Sequence, residues 1–109
     1  IAELVREKVL YFTNKEVPHS VTCIVDDISE DKYNISILAS IIVDRENLKK
    51  ILIGSSGSMI KKIGTEARKD IEQLLNKKVY LDLKVKVVEK WRDKEHFLNQ
   101  TLGYKDFND

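Results

Sequence analysis

The stretch of sequence that decides the fold is Ile53-Gly54-Ser55-Ser56-Gly57-Ser58-Met59-Ile60-Lys61-Lys62-Ile63-Gly64. Apolar residues flank it at helical spacing, so we predict a short glycine-bracketed loop that joins two helices. Glycine lets the backbone turn tightly and lets another backbone approach, because it carries no Cβ. The loop leads into a helix N-terminus, whose unpaired N–H groups and dipole attract an anion such as phosphate. Lys61 and Lys62 follow in the first turns of that helix, and Ile53 and Ile60 provide apolar surface on which bases can rest.

The same glycines also fit an ordinary helix-loop-helix, with Gly54 as a helix C-cap and Gly57 as a turn residue. Taken alone, the glycines favour this structural interpretation. Known nucleotide-binding loops do not match the spacing. A Walker loop requires glycine five residues after Gly54, where Met59 stands, and a dinucleotide-binding loop follows a strand rather than a helix. We therefore predict no nucleotide-hydrolysing site in this chain.

Hydrophobic spacing outside the loop predicts an α+β fold. Period-three-to-four patterns indicate helices over residues 4–13, 46–53, 59–75 and 93–102, the last capped by Gly103, and alternation indicates strands over 20–25, 33–43 and 79–87. The acidic stretch 26–32 is predicted to be a solvated turn, so the first two strands pair as a hairpin. The order helix-strand-strand-helix-helix-strand-helix predicts one domain with a three-stranded sheet and helices packed on one face.

The composition fits a single globular domain in a reducing compartment. The chain has 109 residues, of which 42% are hydrophobic and 34% charged. Its only cysteine is Cys23 and its only histidines are His19 and His96, so disulfide frameworks and zinc sites are not predicted. No apolar run is long enough to span a bilayer and no signal-peptide pattern opens the chain, so we expect a cytoplasmic protein. Because Ile1 already lies in a helical pattern, we expect residues 1–109 to be one domain of a longer protein.

The charge is unevenly distributed around the loop. The net charge of the chain is only +1. Residues 45–69, however, contain seven basic and two acidic residues and carry +5, whereas the remainder carries −4. Charge runs are often only solvated faces. A positive surface beside an anion-attracting loop is nevertheless what binding a phosphate backbone requires.

The order of elements around the Gly-x-x-Gly loop resembles a KH domain of type II topology, in which the loop clamps the backbone of about four nucleotides. The chain is more closely similar to the C-terminal KH domain of the Era GTPases. The segments that carry this similarity are Leu10 to Ser20 with Pro18-His19-Ser20, Ile37 to Val43 with Arg45, Ile60-Lys61-Lys62-Ile63-Gly64, Glu66-Ala67-Arg68, Leu81 to Trp91-Arg92, and Leu102-Gly103-Tyr104. They span nearly the whole chain.

The resemblance implies a single-stranded RNA-binding module of a ribosome-assembly GTPase, which recognises a segment near the 3′ end of 16S rRNA in the small ribosomal subunit. It implies that GTP and Mg²⁺ bind a separate GTPase domain, and that this part has no cofactor and no catalytic residues. It also implies a cytoplasmic monomer, with peripheral association of the full-length protein at the inner face of the cell membrane. Carried over by position, the RNA-binding residues are Ile53, Gly54, Ser55, Ser56, Gly57, Ser58, Met59, Ile60, Lys61, Lys62, Ile63 and Arg68.

One departure from the family pattern affects the loop. Family members usually hold a basic residue at one or both of its middle positions, where Ser55 and Ser56 are neutral. We expect backbone N–H groups, hydroxyls and the helix dipole to hold the phosphate, with help from the lysines. The neutral loop also leaves open a protein-interaction module on the KH scaffold with weakened or lost RNA binding. A further alternative is that the intact protein hydrolyses GTP and uses this part as its RNA sensor.

Overall fold

The computed structural model describes residues 1–13 and 21–90. In chain order they form helix α1 (Ala2–Phe12), strand β1 (Val21–Glu30), strand β2 (Asn34–Val43), helix α2 (Glu46–Ile53), helix α3 (Ser58–Leu75) and strand β3 (Lys78–Val87). A single 3₁₀ turn, Ser55–Gly57, connects α2 to α3. The predicted order of elements is confirmed through β3. The predicted final helix and its Gly103 cap lie outside the described residues.

The sheet is mixed, with β2 in the middle. β1 pairs with β2 in antiparallel orientation, which confirms the predicted hairpin, and β2 pairs with β3 in parallel orientation. A parallel pair needs a long crossover connection, and α2 and α3 together provide it. Among the described strands, β3 therefore lies at a sheet edge, next to the two helices that bracket the glycine loop.

The connection between β1 and β2 is shorter than predicted. The expectation of a solvated turn over the acidic stretch 26–32 is wrong, because β1 continues to residue 30 and the turn occupies only residues 31–33. β1 shifts register between Val25 and Asp27 and then runs exposed beside β2. Exposed acidic residues have the composition of a loop, but pairing with β2 keeps them extended. The Asp31 carboxylate closes the turn by accepting two backbone N–H groups, at 2.9 and 2.8 Å.

The core lies between one face of the sheet and the three helices. The predicted inward row of β2 is confirmed, since all five of its residues are at most 5% exposed: Ile35, Ile37, Ala39, Ile41 and Val43. α3 covers this row with its own fully buried stripe of Ile63, Ala67 and Ile71. On the opposite face of the sheet, Ile24 and Ile42 form a smaller buried cluster with Val88 packed against them.

The described residues contain neither a cluster of metal ligands nor a helix that could span a membrane. Across residues 1–13 and 21–90, no group of three or more His, Cys, Asp or Glu side chains is placed to hold a metal ion. None of the described helices has the length and apolar composition needed to cross a membrane. Cys23 is buried in the core, so it packs there as a small apolar residue.

Candidate nucleic-acid interface

Two positions of the glycine loop have backbone conformations with positive φ, which favour glycine. Gly54 ends α2 with φ 75° and ψ −175°, and its N–H donates to the Lys50 carbonyl at 2.9 Å. A Cβ at Gly54 would lie 2.7 Å from the Met59 Cβ and 2.9 Å from the Met59 backbone nitrogen. Gly57 has φ 79° in the left-handed region, but a Cβ there would meet no atom within 4 Å. Glycine is thus required at residue 54 by both conformation and space, whereas at residue 57 only the left-handed conformation favours it.

The N-terminus of α3 opens directly behind this loop. Gly57 is the N-cap residue of α3, and no side chain caps the first turn of this helix in the described structure. The Gly57 N–H donates to the Gly54 carbonyl and the Ser58 N–H to the Ser55 carbonyl. The next N–H groups of the first turn, those of Met59 and Ile60, have no partner within α3, so they can face an anion, and the helix dipole adds to the attraction. Ser55, Ser56 and Ser58 are all exposed around the same opening. The loop therefore surrounds a group of N–H and O–H donors without holding a cation of its own.

A groove runs from the first turn of α3 along the edge of the sheet. It has a volume of about 270 Å³ and is lined by Ile60, Lys61, Gly64, Thr65, Arg68, Leu81 and Leu83. Gly64 lies opposite the Leu83 side chain, whose Cδ1 is 3.6 Å from the position a Cβ would take at residue 64. The absence of a side chain at Gly64 therefore keeps the groove open between its helical and strand walls. Ile60, Leu81 and Leu83 supply its apolar surface, and the polar side chains all come from α3.

The strand wall offers backbone hydrogen-bonding groups as well as apolar side chains. The Lys78 N–H donates to the Tyr33 carbonyl and the Val88 N–H donates to the Val43 carbonyl, so both N–H groups point toward β2. Successive residues of a strand point their backbone groups to opposite sides, so the odd-numbered residues of β3 point theirs away from β2. Among them, Leu81 and Leu83 also line the groove. A flat apolar-faced group such as a base can therefore rest on these leucines and bond to the strand edge.

A profile of the KH domain family matches residues 16–92, which is most of the chain. The chain belongs to the KH domain family. It is 56% identical to GTPase Era of Leuconostoc citreum over 109 residues, which cover 99% of this chain and 36% of that protein. It is 51% identical to GTPase Era of Thermotoga maritima over 107 residues, which cover 96% of this chain and 35% of that protein. The chain spans about a third of the length of these relatives.

Solved structures agree with this KH domain in fold. A crystal structure of an Aquifex aeolicus Era variant bound to GDP·AlF4⁻ matches with a TM-score of 0.84 and 42% identity, covering 94% of this chain and 35% of that one. Era in complex with MgGDPNP and nucleotides 1506–1542 of 16S ribosomal RNA matches with the same TM-score, identity and coverage. The predicted type II KH fold and the predicted similarity to Era are confirmed.

The two lysines that follow the loop of this KH domain have different environments. The sequence predicts that Lys61 and Lys62 both face the RNA. Lys61 lines the groove, whereas the Lys62 ammonium lies 5.4 Å from the centroid of the Phe12 ring on α1. Such a cation–π contact stabilises the ammonium over the ring. Adjacent residues on a helix point about 100° apart, so Lys61 faces the groove while Lys62 contacts α1.

Other predicted site residues of the KH domain divide between groove, loop and core. Ile60 and Arg68 line the groove, and Ile53 and Met59 are half-buried against the core. Ile63 is fully buried, so its side chain supports the helical wall from behind. Thr65, Leu81 and Leu83 also line the groove but are not among the site residues predicted from the sequence. The inward alternation of β3 was the available signal for the two leucines, but only the sheet topology shows that this strand borders the groove.

Three of the seven basic residues in the stretch 45–69 pair with carboxylates. Arg45 pairs with Asp44 at 3.0 Å, Arg68 with Glu72 at 3.0 Å, and Lys69 with Glu66 at 3.1 Å. These carboxylates neutralise part of the positive charge that the sequence shows near the loop. Of the other four, Lys61 lines the groove, so it and the first-turn N–H groups of α3 attract an anion there.

Proposed function

We propose that this chain binds single-stranded RNA in the groove between α3 and β3, as the KH domain of a longer Era-like GTPase. The observation that supports this most directly is the N-terminus of α3 at one end of a groove that combines apolar and polar side chains. A phosphate needs donors and positive potential, and a base needs an apolar platform with hydrogen-bonding groups at its side. Both are present within a few residues of each other, because Ile60 and Lys61 belong to the first turn of α3 and to the groove.

In the proposed complex, a backbone phosphate lies against the first-turn N–H groups of α3, with the loop hydroxyls and the Lys61 ammonium around it. The bases that follow rest on Ile60, Leu81 and Leu83, and their edges bond to the outward backbone groups of β3. The glycine at residue 64 lets a base approach the helix closely. The proposed RNA-binding residues are those predicted from the sequence: Ile53, Gly54, Ser55, Ser56, Gly57, Ser58, Met59, Ile60, Lys61, Lys62, Ile63 and Arg68.

The proposed ligand is the 3′-terminal region of 16S rRNA, and the proposed role is in assembly of the small ribosomal subunit. Support comes from the solved Era that holds nucleotides 1506–1542 of this RNA. We assign no catalysis to residues 1–109. Where a Walker loop has its second glycine this chain has Met59, so GTP and Mg²⁺ fit the remainder of the longer protein and not this domain. We further propose a cytoplasmic monomer that contacts the inner face of the cell membrane peripherally.

Residue 57 allows a sharp test of this function. Gly57→Asp and Gly57→Asn place side chains of the same shape in open space, and both residue types tolerate the left-handed conformation better than most. Only Asp adds a negative charge where the phosphate is proposed to bind. A like-charge pair at about 4 Å costs about 1–4 kcal/mol at effective dielectric constants of about 80–20, so Asp should bind RNA at least about fivefold more weakly than Asn.

The measurement is a fluorescence anisotropy titration of the labelled 1506–1542 segment with the wild-type chain and both variants. Equal affinities of the Asp and Asn variants would contradict the proposed phosphate position. The neutral residues Ser55 and Ser56 favour a second candidate function, a protein-interaction module on the KH scaffold. Absence of RNA binding by the wild-type chain at low salt would favour that candidate.

A further inference from the structure

A single carboxylate joins the two walls of the groove at the end farthest from the loop. Glu72 lies one helical turn beyond Arg68 on α3. Its Oε1 accepts a hydrogen bond from Arg68 Nη1 at 3.0 Å, and its Oε2 accepts one from the backbone N–H of Val79 on β3 at 2.9 Å. The pKa of Glu72 lies below its ordinary value of about 4.5, mainly because of the hydrogen bond from the Val79 N–H and next because of the charge and hydrogen bond of Arg68. The carboxylate is therefore ionised at neutral pH.

The hydrogen bond from Val79 shortens the open edge of β3. Val79 is an odd-numbered residue of this strand, so its N–H points away from β2 like those of Leu81 and Leu83. Outward N–H groups of an edge strand are available to pair with another group. Because Glu72 already occupies the N–H of Val79, the edge that a base can read begins at Leu81.

The ion pair restrains the Arg68 guanidinium at the same place. The Arg68 side chain lines the groove and Glu72 does not, so the pair, with side chains 38% and 27% exposed, lies at the rim of the groove. A guanidinium has five N–H donors, and those that Glu72 does not use remain for RNA. A free arginine at this rim would reach phosphate oxygens of any sequence, whereas a tethered one presents its donors in a fixed direction. Phosphate contacts carry no sequence information, and base contacts do.

We propose that Glu72 is a positioning residue that ends the base-reading edge and sharpens the sequence preference of the groove. Glu72 holds the Arg68 guanidinium against the groove wall, away from RNA phosphates outside the groove. It also occupies the Val79 N–H, so that no base can bond to the strand edge there. The inference rests on the proposed RNA-binding function. Removing the charge of Glu72 should therefore strengthen binding to arbitrary RNA and weaken discrimination between sequences.

The test compares Glu72→Gln with Glu66→Gln. Glutamine at residue 72 keeps an oxygen for the Val79 N–H and removes the charge that holds Arg68. Glu66→Gln removes the same charge from α3, where Glu66 pairs with Lys69 away from the groove lining. Dissociation constants are measured over a series of salt concentrations for the 1506–1542 segment and for oligouridine of equal length.

We expect Glu72→Gln to bind oligouridine about fivefold more tightly at about 0.1 M salt, with a salt slope steeper by about 0.7, as for one added phosphate contact to a single strand. The preference for the ribosomal segment should fall by a similar factor. Glu66→Gln should leave that preference unchanged. In an Arg68→Gln background, Glu72→Gln should have no effect on the preference, because Glu72 acts through Arg68.

A second variant keeps the test independent of how well Glu72→Gln folds. Arg68→Lys retains the charge but loses the planar fork that Glu72 orients, so it too should lower the preference for the ribosomal segment. An unchanged preference in Arg68→Lys, equal effects of the Glu72 and Glu66 variants, or an undiminished Glu72 effect without Arg68 would each overturn the inference. Failure of the wild-type chain to bind either RNA would instead overturn the proposed function.

Discussion

The loop glycines should differ sharply in their effect on stability when each is replaced by alanine. At Gly54 the new Cβ would lie 2.7 Å from a carbon and 2.9 Å from a backbone nitrogen of Met59, in a φ/ψ region that is essentially restricted to glycine. Backbone strain of about 1–3 kcal/mol and overpacking of about 1–3 kcal/mol then add to about 4 kcal/mol. At Gly57 the Cβ would enter open space, and only the left-handed conformation costs about 1–2 kcal/mol.

Urea unfolding followed by circular dichroism measures both variants against the wild-type chain. With a denaturant slope of about 2 kcal/mol per M, the midpoint should fall by about 2 M for Gly54→Ala and by under about 1 M for Gly57→Ala. Gly57→Asn is the matched control, because asparagine adopts positive φ more readily than alanine and should recover part of the loss. Equal midpoints for the two alanine variants would refute the steric requirement for glycine at residue 54.

Three further predictions concern the groove and its rim. Lys61→Ala should weaken RNA binding about fivefold at about 0.1 M salt. Lys62→Ala should weaken it less, because Lys62 lies over the Phe12 ring. Equal losses of affinity in titrations of the two variants would contradict the placement of Lys61, but not Lys62, in the groove. Ser55→Lys should tighten binding and steepen the salt slope by about 0.7, and an unchanged slope would mean that the loop does not meet the RNA backbone. The lowered pKa of Glu72 predicts a stabilising contribution that is present above about pH 4.5 and lost as the pH falls through the folded-state value. Urea midpoints should therefore fall less on acidification in Glu72→Gln than in the wild-type chain.

Local patterns were sufficient to predict most of the fold. α2 begins and ends at the predicted residues, and the inward row of β2 is buried as its alternation indicates. The length of β1 was not predictable in this way. Its last residues are exposed and acidic, which is typical of a turn, and only pairing with β2 identifies them as a strand. Such pairing joins residues that are distant in the chain, so no pattern within β1 reveals it.

The site divides in a similar way between local and non-local information. The loop glycines and the helix N-terminus behind them are visible as a sequence pattern, because both depend on neighbouring residues. The parallel pairing of β2 and β3 places Leu81 and Leu83 opposite α3, and no spacing in the sequence indicates which sheet edge a strand will occupy. The Arg68–Glu72 spacing of four residues predicts an ion pair on a helix. It does not predict that the same carboxylate reaches Val79 on the strand.

The neutral loop and the paired cations suggest where the affinity of this groove originates. Lysine side chains lose about 1.5–2 kcal/mol of rotamer entropy when they are fixed against a ligand, whereas the N–H groups of a folded helix and strand edge are already fixed. Binding that relies on α3, Leu81 and Leu83 therefore needs fewer cations and depends more on how each base fits. In such a groove, an unrestrained Arg68 would contribute mainly indiscriminate phosphate binding. In the proposed complex, the carboxylate of Glu72 would suppress that contribution, and the sequence preference of the backbone edge would then determine which RNA is retained.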